Sequence, residues 1–215
     1  AGLTGLAFAL GSFDFIKRKP LLSFSTLGCP DWTYPVIVNF AAANGYDGIE
    51  IRGLQRELDL TKSTSFNTNN NILASRKLAE EKGMKIIALG CSAQLHHAEI
   101  TERTKNLDEA KRFIDLAHQL HCPYIRVFPN SFPKEQERNT SIDLIVKGLV
   151  ELNDYAKDSS VCVLMETHGD VVWSRDLENI MKQVGHSNTG LVWDIHNMWE
   201  VTKETPSAVY KQLKK

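Results

Sequence analysis

The chain carries almost no net charge: 25 Lys and Arg against 26 Asp and Glu leave −1 with histidine neutral. Phosphate-backbone binding depends on clustered basic residues, so this balance gives no support for a nucleic-acid partner. Cysteine is scarce as well. Cys29, Cys91, Cys122 and Cys162 stand far apart with no Cys-x-x-Cys pair, which argues against a zinc knuckle or a disulfide scaffold. Reduced thiols filling core space are the reading preferred here, with a reactive role the lesser one for Cys29 and Cys91 near strand ends. No apolar run is long enough to span a bilayer, so no membrane span is expected. A glycine-rich phosphate loop is missing too. After the first strand candidate, Leu27-Gly28-Cys29-Pro30 has one glycine and then a proline, where a dinucleotide fold would need more.

What is present begins oddly. Residues 1–12 form a short apolar run of small residues, with no charge before Asp14. The run resembles the hydrophobic part of an export signal lacking its basic N-terminal region, which suggests an exported, periplasmic protein. The alternative is a cytoplasmic protein whose N-terminal helix covers the bottom of the fold. The chain therefore divides into an extension over 1–20 and one domain over 21–215.

Six apolar runs recur along that domain: Leu21 to Leu27, Gly48 to Ile51, Lys85 to Leu89, Tyr124 to Phe128, Val161 to Met165 and Leu191 to Trp193. Helical spacing fills the gaps. Leu107, Ala110, Phe113, Ile114, Ala117 and Leu120 make one apolar stripe, and Ile142, Ile145, Val146, Leu149 and Leu152 make the next. Gly45 and Gly83 sit where helices should stop, while Ser174 and Thr205-Pro206 sit where helices should start. The unit repeats roughly every 30 to 40 residues, the length of a strand plus a crossover helix. Such alternation predicts an α/β fold with a parallel sheet covered by helices. Polar residues gather after several different strands, which favours a (β/α) barrel over an open doubly wound sheet.

Two of these strand ends share one grammar. Val161-Cys-Val-Leu-Met-Glu-Thr-His-Gly169 and Gly190-Leu-Val-Trp-Asp-Ile-His-Asn197 both run from apolar residues to an acid, one spacer and a histidine. On a strand, residues i and i+2 share a face, so Glu166 would lie with His168 and Asp194 with His196. Strand ends also turn polar merely where a chain leaves the core. Two matching endings favour a site, because an unpaired buried charge is costly.

Together with Tyr46-Asp-Gly-Ile-Glu-Ile-Arg52 and Gly83-Met-Lys-Ile-Ile-Ala88, these motifs resemble the xylose isomerase-like TIM-barrel superfamily of sugar isomerases, sugar-phosphate isomerase/epimerases and endonuclease IV-like enzymes. The resemblance covers about Leu21 to Lys215 and implies six of eight βα units. In that family a divalent metal, commonly manganese, magnesium, cobalt or zinc, is held by acids after strands five, six and eight and a histidine after strand seven. Glu166 matches the first ligand position and Asp194 the second. The other two would lie beyond Lys215, so the sequence is expected to be cut short, with homo-oligomer formation a consequence of the cut.

The resemblance implies a divalent-metal-dependent sugar or sugar-phosphate isomerase or epimerase, with Glu166 as ligand and proton carrier and Asp194 mainly as ligand. His196, His168 and His96 become candidate substrate contacts, although a loop histidine such as His96 or His97 is as often simply solvated. Glu50 and Arg52 share a face at the end of strand two, as an internal ion pair or as a clamp on sugar hydroxyls. Arg126, unexpected inside a strand, should pair with Glu50 or Glu166 in the lumen. Trp32 and Trp199 are expected in loops as pocket walls, and Trp193 in the core. A metal-dependent dehydratase or lyase and a non-catalytic sugar-binding barrel remain as alternatives. Endonuclease chemistry is disfavoured by the neutral charge.

Overall fold

The structure, a computed structural model, describes residues 19–214; the N-terminal apolar run and its signal-like reading lie outside the described residues. Six strands alternate with helices: β1 (Ser23–Ser25), α1 (Tyr34–Ala43), β2 (Gly48–Ile51), α2 (Asn69–Glu81), β3 (Lys85–Gln94), α3 (Ile100–Gln119), β4 (Tyr124–Phe128), α4 (Arg138–Ala156), β5 (Cys162–Glu166), α5 (Ser174–Val184) and β6 (Thr189–Val192). Two short helices follow, α6 (Ile195–Thr202) and α7 (Pro206–Leu213). The strands pair in chain order, each with the next and all parallel, as crossover helices of this length require. The result is a six-strand arc of a (β/α) barrel.

The helices end where the chain punctuates them. Gly45 and Gly83 adopt φ of +71° and +67° just past α1 and α2, a conformation that costs glycine little. Thr68 caps α2 through its side chain onto the Asn71 amide, and Pro206 opens α7 directly after Thr205. Ser174 does not act as the cap of α5. Trp173 takes that position, and the Ser174 hydroxyl donates to Glu204 Oε1 at 2.6 Å.

Alternation along the strands gives the sheet two unlike faces. Ile49, Ile51, Leu89, Cys91, Ile125, Val127, Val163 and Met165 are sealed from solvent and pack with the inner stripes of α3 and α4. All of this apolar area removed from water supplies the main drive for folding. The opposite, concave face carries Glu50, Gly90, Arg126 and Glu166; the register pairs Gly90 with Arg126, Glu50 with Ala88 two residues before Gly90, and Arg126 with Leu164 two residues before Glu166. No helix among the described residues is long and apolar enough to cross a membrane.

Candidate active site on the concave face

Arg126 stands at the centre of this face with only 5% of its surface exposed. Its Nε lies 2.8 Å from Glu166 Oε2 and its Nη2 lies 3.7 Å from Glu50 Oε1. Its Nη1 donates to the Cys91 carbonyl at 2.8 Å. Burial lowers the guanidinium's pKa from its usual range, and the two carboxylates oppose that shift. The lumen partner expected of Arg126 was one of two acids, and it engages both.

Glu166, at the end of β5, has each oxygen engaged. Oε2 meets Arg126, and Oε1 lies 3.3 Å from His168 Nδ1. The His168 ring packs against Phe128, tilted by 49° with ring centres 4.7 Å apart, and the Arg126 guanidinium lies 4.1 Å from the Phe128 ring centre. Arg126, Phe128, His168 and Glu166 therefore close into a ring of mutual contacts. Glu166 and His168 are together, as strand alternation predicted.

Asp194 and His196 are not arranged that way. β6 stops at Val192, and Asp194 is the N-cap of α6, its Oδ1 accepting from the Asn197 amide at 2.8 Å. A short acid three residues ahead of a free amide starts a helix, and that local bond wins over continuation of the strand. His196 accordingly sits exposed in the first turn of α6. Trp199, expected in a loop, lies on α6 with Lys203 Nζ 5.2 Å from its ring centre.

Asp194 is nonetheless tied to Glu166 through Thr167. The buried Thr167 hydroxyl accepts from the Asp194 amide at 2.9 Å, and the Thr167 amide donates to the Val192 carbonyl at 3.0 Å. Asn197 completes the tie by donating to the Thr167 carbonyl at 3.1 Å. Sequence reasoning missed Thr167 and Asn197. The spacing of Asp194 and Asn197, a cap and the amide it serves, was the available signal.

Gly90 was missed as well. A Cβ there would fall 2.7 Å from Arg52 Cδ, 2.9 Å from Arg126 Nη2 and 3.0 Å from Glu50 Oε1. The absent side chain makes the room that three charged side chains fill. Arg52 reaches across this gap to donate from Nη2 to Ser92 Oγ at 3.1 Å. Its Nη1 is shielded from solvent and has no partner, and no carboxylate among the described residues forms an ion pair with Arg52. Of the two roles weighed for Glu50 and Arg52, an ion pair between them or a clamp on sugar hydroxyls, the first is not formed among the described residues, where Glu50 lies by Arg126.

The remaining candidates do not touch Glu166, although His96 lies within electrostatic reach of Asp170 at the rim. Trp32 packs edge-on against Phe40 with ring centres 5.0 Å apart, in an aromatic group that also holds Phe24 and Tyr46. His96 is buried and stacks on His97 at 4.1 Å. Burial first, then the neighbouring imidazole, pushes the His96 pKa down to about 4. Burial likewise drives the Cys91 thiol up, as expected for core cysteine. Trp193 is packed against the core, but it also lines a cleft of about 420 Å³ beside Leu191 and Tyr210, away from Glu166.

The rim around His168 is latched. Asp170 donates its amide to the Asn130 carbonyl at 2.8 Å and accepts from the Phe132 amide at 2.9 Å. Asn130 Nδ2 in turn donates to Gln94 Oε1 at 3.0 Å. The end of β3 and the loops after β4 and β5 are thus bonded in series. Gly169 permits the approach: its φ is +65°, and a Cβ would lie 2.0 Å from the Asn130 carbonyl oxygen.

As possible donors for a metal, the described residues offer two carboxylates. Glu166 and Asp194 give hard oxygen donors at adjacent strand ends, suited to manganese or magnesium. Of the Asp194 oxygens, Oδ1 is taken by the Asn197 amide at 2.8 Å. No group of three His, Cys, Asp or Glu among the described residues could hold a metal ion.

The arrangement has relatives. A magnesium complex of a xylose isomerase-like TIM barrel protein from Mycobacterium smegmatis is similar in fold, with a TM-score of 0.69, 17% identity, and 90% of this chain and 71% of that one covered. The probable 3-DHS dehydratase of petrobactin synthesis from Bacillus anthracis superposes with a TM-score of 0.72 at 18% identity, over 91% of this chain and 70% of that one. D-psicose 3-epimerase from Clostridium cellulolyticum H10, crystallised with D-tagatose, gives 0.72 at 14% identity, over 89% and 68%. No curated protein sequence matches the chain. At these identities the likeness shows the fold alone. The model of the family described as "Xylose isomerase-like TIM barrel" matches residues 38–214, a span that contains Glu50, Arg126, Glu166 and Asp194, and the chain belongs to that family.

Proposed function

We propose that the protein is a divalent-metal-dependent isomerase or epimerase of a sugar or sugar phosphate, working by proton transfer next to a carbonyl. The observation that carries this reading is the pair of carboxylates at neighbouring strand ends, held in mutual register by Thr167. Glu166 and Asp194 would hold the metal, which when bound supplies positive charge for the negative charge that develops on the substrate oxygens. Glu166 would carry the proton. Arg126 holds that carboxylate in place through Oε2, and His168 faces Oε1. Phe128 packs against one side of the imidazole.

A second reading is favoured by one observation: both Glu166 oxygens are already engaged within the protein. It is a sugar-binding barrel without catalysis. Manganese titration by calorimetry of the chain and of Glu166→Ala, followed by exchange of carbon-bound hydrogen in heavy water with a panel of ketoses and aldoses, separates the two. Stoichiometric binding lost in the variant, with exchange, supports the enzyme. Sugar binding without manganese uptake or exchange supports the binding protein.

A further inference from the structure

The rim where α4 and α5 begin holds an aromatic ring that the concave face does not use. Trp173 is 45% exposed, although its neighbours Val172 and Ser174 are buried. Its backbone carbonyl takes the Asp176 and Leu177 amides at the start of α5, while the side chain makes no capping bond. The helix start therefore does not need the indole. An open cavity of about 360 Å³ lies against Trp173 and is lined also by Arg138, Arg175 and Asp176. These polar side chains are held in place. Asp176 is buried, bonds to Arg138 and lies 3.9 Å from Arg175 Nε. The Arg138 guanidinium packs over Phe132, 3.9 Å from the ring centre. A second cavity of about 310 Å³ shares Arg175 and Asp176 and continues along α5 past Asn179 to Lys182.

We propose that this groove binds a chain of neutral sugar units, with one ring lying on the face of Trp173. An exposed indole offers apolar area to the C–H face of a pyranose, and polar side chains beside it serve the hydroxyls at the ring edge. The lining decides between ligand classes. A hydroxyl both donates and accepts, so it can use the arginines and Asp176 alike, whereas a phosphate is chiefly an acceptor and meets a carboxylate it cannot use. Polyanion sites draw instead on clustered cations of one sign. Size agrees with the assignment. The cavity at Trp173 falls at the small end of ligand sites, room for one ring, and the adjoining cavity takes the next. The groove is separate from the ring of contacts around Arg126, and it stands whether or not Glu166 carries a proton.

The test is an NMR titration of the full chain with maltotriose, cellotriose, xylotriose and chitotriose, with D-glucose and inorganic phosphate alongside. The readout is the indole N–H resonance of Trp173, identified by its loss in Trp173→Ala. At least one trisaccharide should shift that resonance and bind more tightly than D-glucose. Calorimetry should then show its affinity falling by about tenfold in Trp173→Ala, with Trp173→Phe keeping most of it. Arg175→Met, at a side chain that is 86% exposed and so safe for folding, should weaken it as well. Thermal melting checks that each variant folds. Glu166→Gln should leave trisaccharide binding unchanged. The proposal is overturned if no trisaccharide shifts the Trp173 resonance, or if affinity is the same in Trp173→Ala and Arg175→Met as in the parent. It is also overturned if binding is lost in Glu166→Gln, which would send the sugar to the concave face, or if phosphate shifts the resonance and the sugars do not. Absence of manganese uptake by the parent would remove the metal-dependent reading without bearing on the groove.

Discussion

Replacing Arg126 with methionine removes the charge at the centre of the concave face while keeping most of the side chain's volume. Four interactions go with it: the 2.8 Å contact to Glu166, the 3.7 Å contact to Glu50, the 2.8 Å bond to the Cys91 carbonyl and the packing of the guanidinium over Phe128. Breaking one partner of a buried pair costs about 3 to 5 kcal/mol, because the other charge stays behind uncompensated. The Glu166 side chain retains 17% exposure, so water relieves part of that, and a loss near 3 kcal/mol is expected. Urea unfolding followed by circular dichroism measures it. Glu166→Gln should cost less, about 1 to 2 kcal/mol, since Arg126 can turn to Glu50 at 3.7 Å. The decisive quantity is the double variant. If the two side chains stabilise each other, removing both should cost less than the two single losses together by about 1 to 3 kcal/mol. Additive losses, or an Arg126→Met variant within about 0.5 kcal/mol of the parent, would refute the assignment of Arg126 as the organiser of Glu166.

Gly169→Ala should destabilise by more than about 2 kcal/mol in the same unfolding assay, because a Cβ would lie 2.0 Å from the Asn130 carbonyl oxygen at a φ of +65°. Asp194→Ala should cost about 1 kcal/mol through loss of the α6 cap, whereas Asp194→Asn should stay near the parent in stability and lose manganese affinity, read by calorimetry. His96 is held neutral, with its pKa depressed to about 4, so the unfolded chain binds its proton first as pH falls below about 6.5. Stability should therefore drop between about pH 6.5 and pH 4, by up to roughly 3 kcal/mol from this group, and level off below. In His96→Gln the slope over that window, from denaturant midpoints taken at several pH values, should flatten.

The sequence displayed the helix-facing half of the sheet better than the concave half. β2 and β4 occupy the apolar runs from Gly48 to Ile51 and Tyr124 to Phe128, because their alternate residues are driven into the core. β3 continues five residues past Leu89, through Gly90 to Gln94, where side chains turn small or polar and apolarity no longer reports a strand. β1 is shorter than its run: Leu21 and Leu27 are 78% and 67% exposed, so apolar composition there is not matched by burial. In the site, Glu166 with His168 followed from two-residue alternation. Asp194 with His196 failed because a cap bond three residues long overrides that period. Arg126 could be placed in the lumen by its rarity in a strand, but its sharing between two acids depends on cross-strand register, which single-sequence reasoning does not supply. Gly90 carried no signal at all, since its function is the space it leaves for residues distant in the chain.

The series of bonds through Gln94, Asn130 and Asp170 bears on how a ligand could enter. The loops after β4 and β5 are bonded to each other and, through Asn130, to the end of β3, each link a hydrogen bond of 3.0 Å or less. Neither loop can swing outward singly without breaking its neighbour's bond. Admission past His168 must therefore come either from side-chain rotation at a fixed rim or from a concerted tilt of the loops after β4 and β5. The second would show as hydrogen-exchange rates for the Phe132 and Asp170 amides that rise and fall together.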